Sequence, residues 1–240
     1  MKMNKCNMSA TPCQKAAAKL AATFKANKES AEYMSVSEGN EKLQPTEKVK
    51  FLIWNLPAKT TCPYATAHCK KYCYAKAAER YDGPREMRKR NLAASKKADF
   101  VEKMIFTILA NLDRPSYKAA GEIVVRIHES GDFYNKAYAE KWLEIARAFA
   151  GDKRIKFMAY TKSVRYFVGE EIPENMTVRF SLWDDTKPEE LAIAEGLGLP
   201  IYTAVEKFTN EPKKERCGCE DCANCKKCWS ALQMIKCEIH

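Results

Sequence analysis

The stretch EIVVRIHESGDFYNKAYAEKWLEIARAFAGDKRIKFMAY, residues 122–160, decides the fold. It opens on a strand, residues 122–128, with Val125 and Ile127 on one face and Arg126 and His128 on the other. A polar turn through Ser130, Gly131 and Asp132 follows, then a helix over 137–150 and a second strand over 155–160. Two strands joined through a helix of more than ten residues form a right-handed βαβ crossover, so the strands run parallel.

Working outward, the same alternation continues. Residues 49–56 read as a strand, 62–81 as a loop leading into a helix, and 85–112 as one long helical stretch. Downstream, 176–183 is a strand, 188–197 a helix closed by Gly198, and 201–205 a strand. The expected fold is α/β, a partial (β/α) barrel of about five or six parallel strands. An open doubly wound sheet is the alternative, but no Gly-rich phosphate loop follows the first strand. The barrel is favoured because two strands carry a polar face: Arg126 with His128, and Arg179 with Ser181 and Trp183. Strands buried on both faces of an open parallel sheet read as continuous apolar runs instead.

Three regions are expected. Residues 1–48 form an N-terminal helical appendage, with Thr11 and Pro12 opening a helix that reaches about Asn27. Residues 49–210 form the barrel core, and residues 211–240 a Cys-rich metal-binding tail.

Composition narrows the classes. The chain of 240 residues is long enough to bury its own core. No long uncharged apolar run is present, so no membrane span is expected, and Lys19 interrupts the nearest approach to a secretory signal, residues 16–24. A cytoplasmic, reducing setting follows as the expectation, in which eleven cysteines read as metal ligands rather than disulfides. The net charge of +10 and the basic run Arg80, Arg85, Arg88, Lys89, Arg90, Lys96 and Lys97 fit a solvated basic surface or a polyanionic partner such as nucleic acid.

The cysteines fall in two groups. Cys62, Cys69 and Cys73 follow the first strand directly, and loops after strands form the active face of a parallel sheet. Three thiolates can hold three irons of a [4Fe-4S] cluster and leave the fourth open; zinc with His68 as a fourth ligand is the alternative. Cys217, Cys219, Cys222, Cys225 and Cys228 crowd into twelve residues. The C-x2-C-x2-C run within them suits a cubane cluster, whereas structural zinc favours two knuckles separated by a longer loop. Cys237 is a further candidate; Cys6 and Cys13 have no assigned role.

Several motifs carry a resemblance: residues 39–43 and 55–58, Thr61-Cys62-Pro63, Cys69, Cys73-Tyr74-Ala75, Arg126, His128, residues 130–133 and 160–163, and Cys225 with Cys228-Trp229. Together they resemble an uncharacterised family of phage and bacterial proteins, the gene-product-eighty-eight domain. A looser resemblance is to radical S-adenosylmethionine (SAM) enzymes, which place three cysteines after the first strand of a partial barrel. That resemblance implies Tyr72 near an adenine, Ser130-Gly131-Asp132 at the SAM amino group, and Arg126 and Arg179 on an anionic substrate or the SAM carboxylate. The spacing here, C-x6-C-x3-C, departs from the common C-x3-C-x2-C pattern of those enzymes.

The expected function is an iron–sulfur redox enzyme. It would carry a substrate-facing cluster, an auxiliary C-terminal cluster, and an electron donor such as a flavodoxin or ferredoxin. A zinc-dependent nucleic-acid-binding protein and a non-catalytic redox sensor are the alternatives.

Overall fold

Seven strands make one sheet: β1 (Val49–Trp54), β2 (Glu122–Ile127), β3 (Ile155–Thr161), β4 (Met176–Leu182), β5 (Ile201–Val205), β6 (Arg216–Cys217) and β7 (Met234–Glu238). Their order is β1-β2-β3-β4-β5-β7-β6, every neighbouring pair is parallel, and the sheet curls into a half-barrel. This computed structural model describes residues 19, 22–24, 32–207, 212, 215–217, 221–230 and 232–238. The helix expected over 12–27, and Cys6, Cys13 and Cys219, lie wholly or mostly outside the described residues.

Among the described residues the named α-helices are α1 (Ala67–Lys71), α2 (Ala75–Ala78), α3 (Asp82–Ser95), α4 (Phe100–Leu112), α5 (Pro115–Lys118), α6 (Lys136–Ala148), α7 (Pro188–Gly196) and α8 (Cys222–Cys225). The crossover helix α6 starts where Asn135 Oδ1 accepts the Tyr138 N–H at 2.8 Å, an N-cap. Its buried residues Tyr138, Ala139, Trp142, Leu143 and Ala146 recur at helical spacing and face the sheet. They meet Ile123, Val125 and Ile127 of β2, and Phe100, Met104 and Ile108 of α4, in the larger core.

The expected single helix over 85–112 is two helices. Helix α3 stops at Ser95, and the Lys141 ammonium from α6 takes the freed carbonyls of Ser95 (2.9 Å) and Lys97 (2.8 Å). A cation on the last carbonyls of a helix satisfies groups that would otherwise need the helix to continue. The basic run is also less open than the sequence suggests. Arg88 is buried against Glu79 and the Ala75 carbonyl, Arg85 pairs with Asp82, Lys89 with Glu86, and Lys103 with Glu32 and Asp99.

The inner face of the sheet is not an open polar cavity. Phe51, Ile53, Val124 and Met158 line it, and Leu43, Ala223 and Trp229 cover them. The Trp229 ring meets Phe51 edge-on at 5.9 Å. The tail contributes two of the seven strands, with Ile235 and Cys237 of β7 buried, so packing as well as any metal orders it. Residues 32–48 are likewise tied to the body: Ser37 and Ile53 exchange backbone hydrogen bonds, and Asn40 Nδ2 donates to Glu129 at 2.6 Å. Among the described residues no helix is long and apolar enough to cross a membrane.

His128 breaks the strand alternation read from the sequence. Its φ is +65°, so its ring turns to the helix side, edge-on to Phe133 at 4.8 Å, with Nε2 2.9 Å from the Tyr138 hydroxyl. Burial, reinforced by the Arg126 charge, brings the imidazole down to about 3. An unfolded histidine titrates near 6.5. Below that pH the unfolded chain takes a proton that the folded chain refuses, so stability falls as pH drops toward 3, by roughly 1.4 kcal/mol per unit. Denaturant titrations between pH 7 and 4.5 should therefore show a flatter stability profile for His128→Phe than for wild type. Parallel profiles would refute the assignment.

Candidate metal centre

The loops after β1, β2, β3 and β4 meet at the C-terminal edge of the sheet. Two of them are stapled together by Asn55, whose Oδ1 accepts the N–H groups of Glu129 (2.8 Å) and Ser130 (2.9 Å). Ser130 returns the contact: its Oγ donates to the Leu56 carbonyl at 2.9 Å, and its own carbonyl accepts the Leu56 N–H at 2.9 Å. Gly131 makes this approach possible. Its φ is +90°, and a Cβ there would lie 2.6 Å from Thr61 Oγ1 and 2.7 Å from Leu56 Cβ. Ser130 and Gly131 thus hold the loop that carries Cys62.

Asp132 is buried beside them. Its carboxylate accepts from Thr161 Oγ1 (2.6 Å), the Lys162 N–H (3.0 Å) and its neighbour Phe133 N–H (2.7 Å). It does not cap α6, which Asn135 does; it fastens the loop after β2 to the end of β3. Burial raises its carboxyl above the usual range despite these bonds.

Cys62, Cys69 and Cys73 gather next to this latch. Burial, with Asp132 and the other two thiols adding, pushes the Cys62 thiol up to about 12, and burial likewise raises Cys69. Thr66 Oγ1 caps α1 by accepting the Cys69 N–H at 3.2 Å. Lys162 reaches the same place, its ammonium donating to the Ser181 carbonyl at 2.6 Å, and burial brings it down to about 8. A metal bound here would supply the positive charge that thiolates need.

At the rim, His68 turns to the loop after β4. Its Nδ1 sits 2.7 Å from Asp184 Oδ1, and its N–H donates to Asp185 at 2.8 Å. This is the one group of three His, Cys, Asp or Glu ligand atoms within 4.8 Å of one another among the described residues. Tyr72 lies nearly parallel to Trp183, 17° between planes and 6.2 Å between centroids, with the Lys162 ammonium 5.6 Å from the Trp183 ring.

The second cysteine group lies across the concave face. Cys222 and Cys225 bracket α8, which Asp221 caps, and Lys226 with φ +56° reverses the chain toward Cys228. Arg179 of β4 holds this turn in place. It is fully buried, and four of its five N–H groups donate to the carbonyls of Lys227 (2.9 Å), Cys228 (2.7 Å), Ser230 (3.0 Å) and Leu232 (2.7 Å). Glu122 adds an ion pair to Lys226 and accepts from the Trp229 indole. Arg126 stands between the two cysteine groups, its guanidinium 4.6 Å over the Tyr160 ring, with Tyr74, Cys228 and Glu129 in electrostatic range.

A family model described as gene product 88 matches residues 34–231 of the chain. The chain belongs to the gene product 88 family. The "Gene 88 protein" of Mycobacterium phage D29 is a relative, 26% identical over 166 residues, which span 65% of this chain and 68% of that protein. No solved structure matches.

Both cysteine groups lie inside the family-matched region, and the fold brings the sequence-predicted residues together unevenly. Cys62, Cys69, Cys73, Tyr72 and Asp132 converge at the strand ends. Arg179 does not face that site: its donors are spent on the tail, which corrects its expected role as an anion holder. His68 is likewise committed to Asp184 rather than to the thiols. Lys162 stands, as its strand-end position implies, on the face of the site, whereas nothing but the strand-end position of Asn55 marks it and Glu129 as loop clamps.

Proposed function

We propose that this gene product 88 protein is an iron–sulfur redox enzyme, with a substrate-facing cluster on Cys62, Cys69 and Cys73 and an auxiliary cluster on the C-terminal cysteines. The convergence of the first three thiols at the C-terminal edge of a parallel half-barrel carries this reading, because that edge is where such folds do chemistry. The run of cysteines at every third residue from Cys219 to Cys228 supports a cluster over one zinc ion, because structural zinc favours two knuckles separated by a longer loop.

A bound cluster would supply one-electron chemistry to whatever lies in front of it. The chain's own part is to exclude water with buried loops, to hold the Lys162 cation beside Cys69, and to present Tyr72 and Trp183 at the entrance. The finer reading, in which SAM binds the first cluster, draws support from Tyr72 and from the loop positions. It draws less from Asp132, whose carboxylate already has three donors. Nucleic-acid binding through the basic run is the weaker alternative, since Arg85, Arg88 and Lys89 have acidic partners of their own.

Anaerobic purification tests the reading. The protein should be brown and carry iron with equimolar acid-labile sulfide, and Cys73→Ala and Cys225→Ala should each lose one cluster's share of iron. A colourless protein with stoichiometric zinc would overturn it.

A further inference from the structure

The strand register puts more than the 217–228 cysteines on the concave face. In a parallel pair, register partners point to the same side of the sheet, and so do residues two apart on one strand. Tyr160 pairs with Arg179, Ser181 with Tyr202, and Tyr202 with Ile235. Two residues beyond Ile235 stands Cys237, whose partner on β6 is Cys217. All of these side chains therefore share the face on which Arg179 clamps the cysteine turn.

Side-chain contacts join the thiols across that face. The Tyr160 and Tyr202 rings lie 4.7 Å apart. Cys228 lies in electrostatic range of Tyr160, and Cys237, Cys217 and Cys228 all lie in that of Tyr202. Cys217, Cys228 and Cys237 thus border one aromatic pair, approached from β6, from the turn and from β7. Cys237 lies beyond the residues matched by the family model, which end at 231.

We propose that Cys237 is a ligand of the C-terminal metal group, acting with Cys217 and the cysteines of the 222–228 turn. The proposal rests on the reading above that this group holds metal. Three segments then donate to one polynuclear centre, which locks the last two strands of the sheet to the turn that covers it. The competing explanation is that Cys237, only 6% exposed, is a small apolar filler of β7.

The test is iron and sulfide per chain after anaerobic reconstitution with ferrous iron and sulfide. Cys237→Val keeps the volume and apolarity of the site but removes the sulfur, and should lose as much iron as Cys225→Ala while the Cys62/Cys69/Cys73 share stays bound. Ile235→Val, a comparable packing change on the same face of the same strand, should keep all of its iron. Full iron in Cys237→Val, or equal loss in Cys237→Val and Ile235→Val, would overturn the proposal and leave the C-terminal metal standing. Full iron in Cys225→Ala would remove the C-terminal metal itself, and the proposal with it. A Cys217–Cys237 disulfide in the anaerobically prepared, iron-loaded protein would also overturn it.

Discussion

Arg179→Met should be the most damaging single substitution on the concave face, lowering stability by about 4 kcal/mol or more. Methionine fills much of the same volume, so the loss would come from the four carbonyls of Lys227, Cys228, Ser230 and Leu232, each deprived of a charged donor. A hydrogen bond to a charged group contributes roughly 1.5–3 kcal/mol, and water re-entering around the released turn returns part of that. Arg179→Lys should rescue little, because an ammonium is a point charge with three donors and cannot span four carbonyls from one planar fork. Urea denaturation gives the energy, and limited proteolysis should show cleavage within 221–230 that wild type resists. Wild-type stability together with an intact tail would show that the clamp is incidental.

Gly131→Ala should cost about 3 kcal/mol, against the usual expectation that Gly→Ala stabilises by 0.4–1 kcal/mol where the backbone allows it. Two penalties add here. The φ of +90° is a conformation that costs an L-residue on the order of 1–2 kcal/mol. The new methyl group would also press on Thr61 Oγ1 at 2.6 Å and Leu56 Cβ at 2.7 Å, an overpacking that costs roughly 1–3 kcal/mol. Gly83→Ala is the control, since Gly83 lies in helix α3 with nothing within 4 Å of its added Cβ. It should stabilise slightly. Equal effects of the two substitutions would remove the argument for a loop–loop staple. Because Thr61 adjoins Cys62, the Gly131 variant should also weaken iron binding at Cys62, Cys69 and Cys73 if the proposed cluster sits there.

Much of this was legible in the sequence because periodicity reports what each face touches. The apolar face of β2, Val125 and Ile127, packs on helices as read, and Arg126 points to the other side. The five strands from β1 to β5 were all recoverable from their apolar runs. β7 was not, although Met234–Glu238 alternates in the way a half-buried strand should, with Ile235 and Cys237 inward. The density of cysteines nearby points to metal and masks the packing signal. His128 escaped because a positive φ at a non-glycine residue leaves no trace in a hydrophobic pattern. Arg179 shows a deeper limit. A polar residue on an inward face announces that it has a partner, but not whether that partner is a ligand or a remote piece of the same chain.

Arg179 reads only main-chain oxygens, and this has an evolutionary corollary. Arg179's share of the docking is written in β4 and is blind to the side chains of Lys227, Ser230 and Leu232, while Trp229 adds a side-chain anchor of its own against Phe51 and Glu122. Those three side chains can drift without rewriting the address. Among relatives, an arginine at this register position should outlast the tail sequence it holds, and a chimera with a foreign cysteine turn should still seat on this barrel.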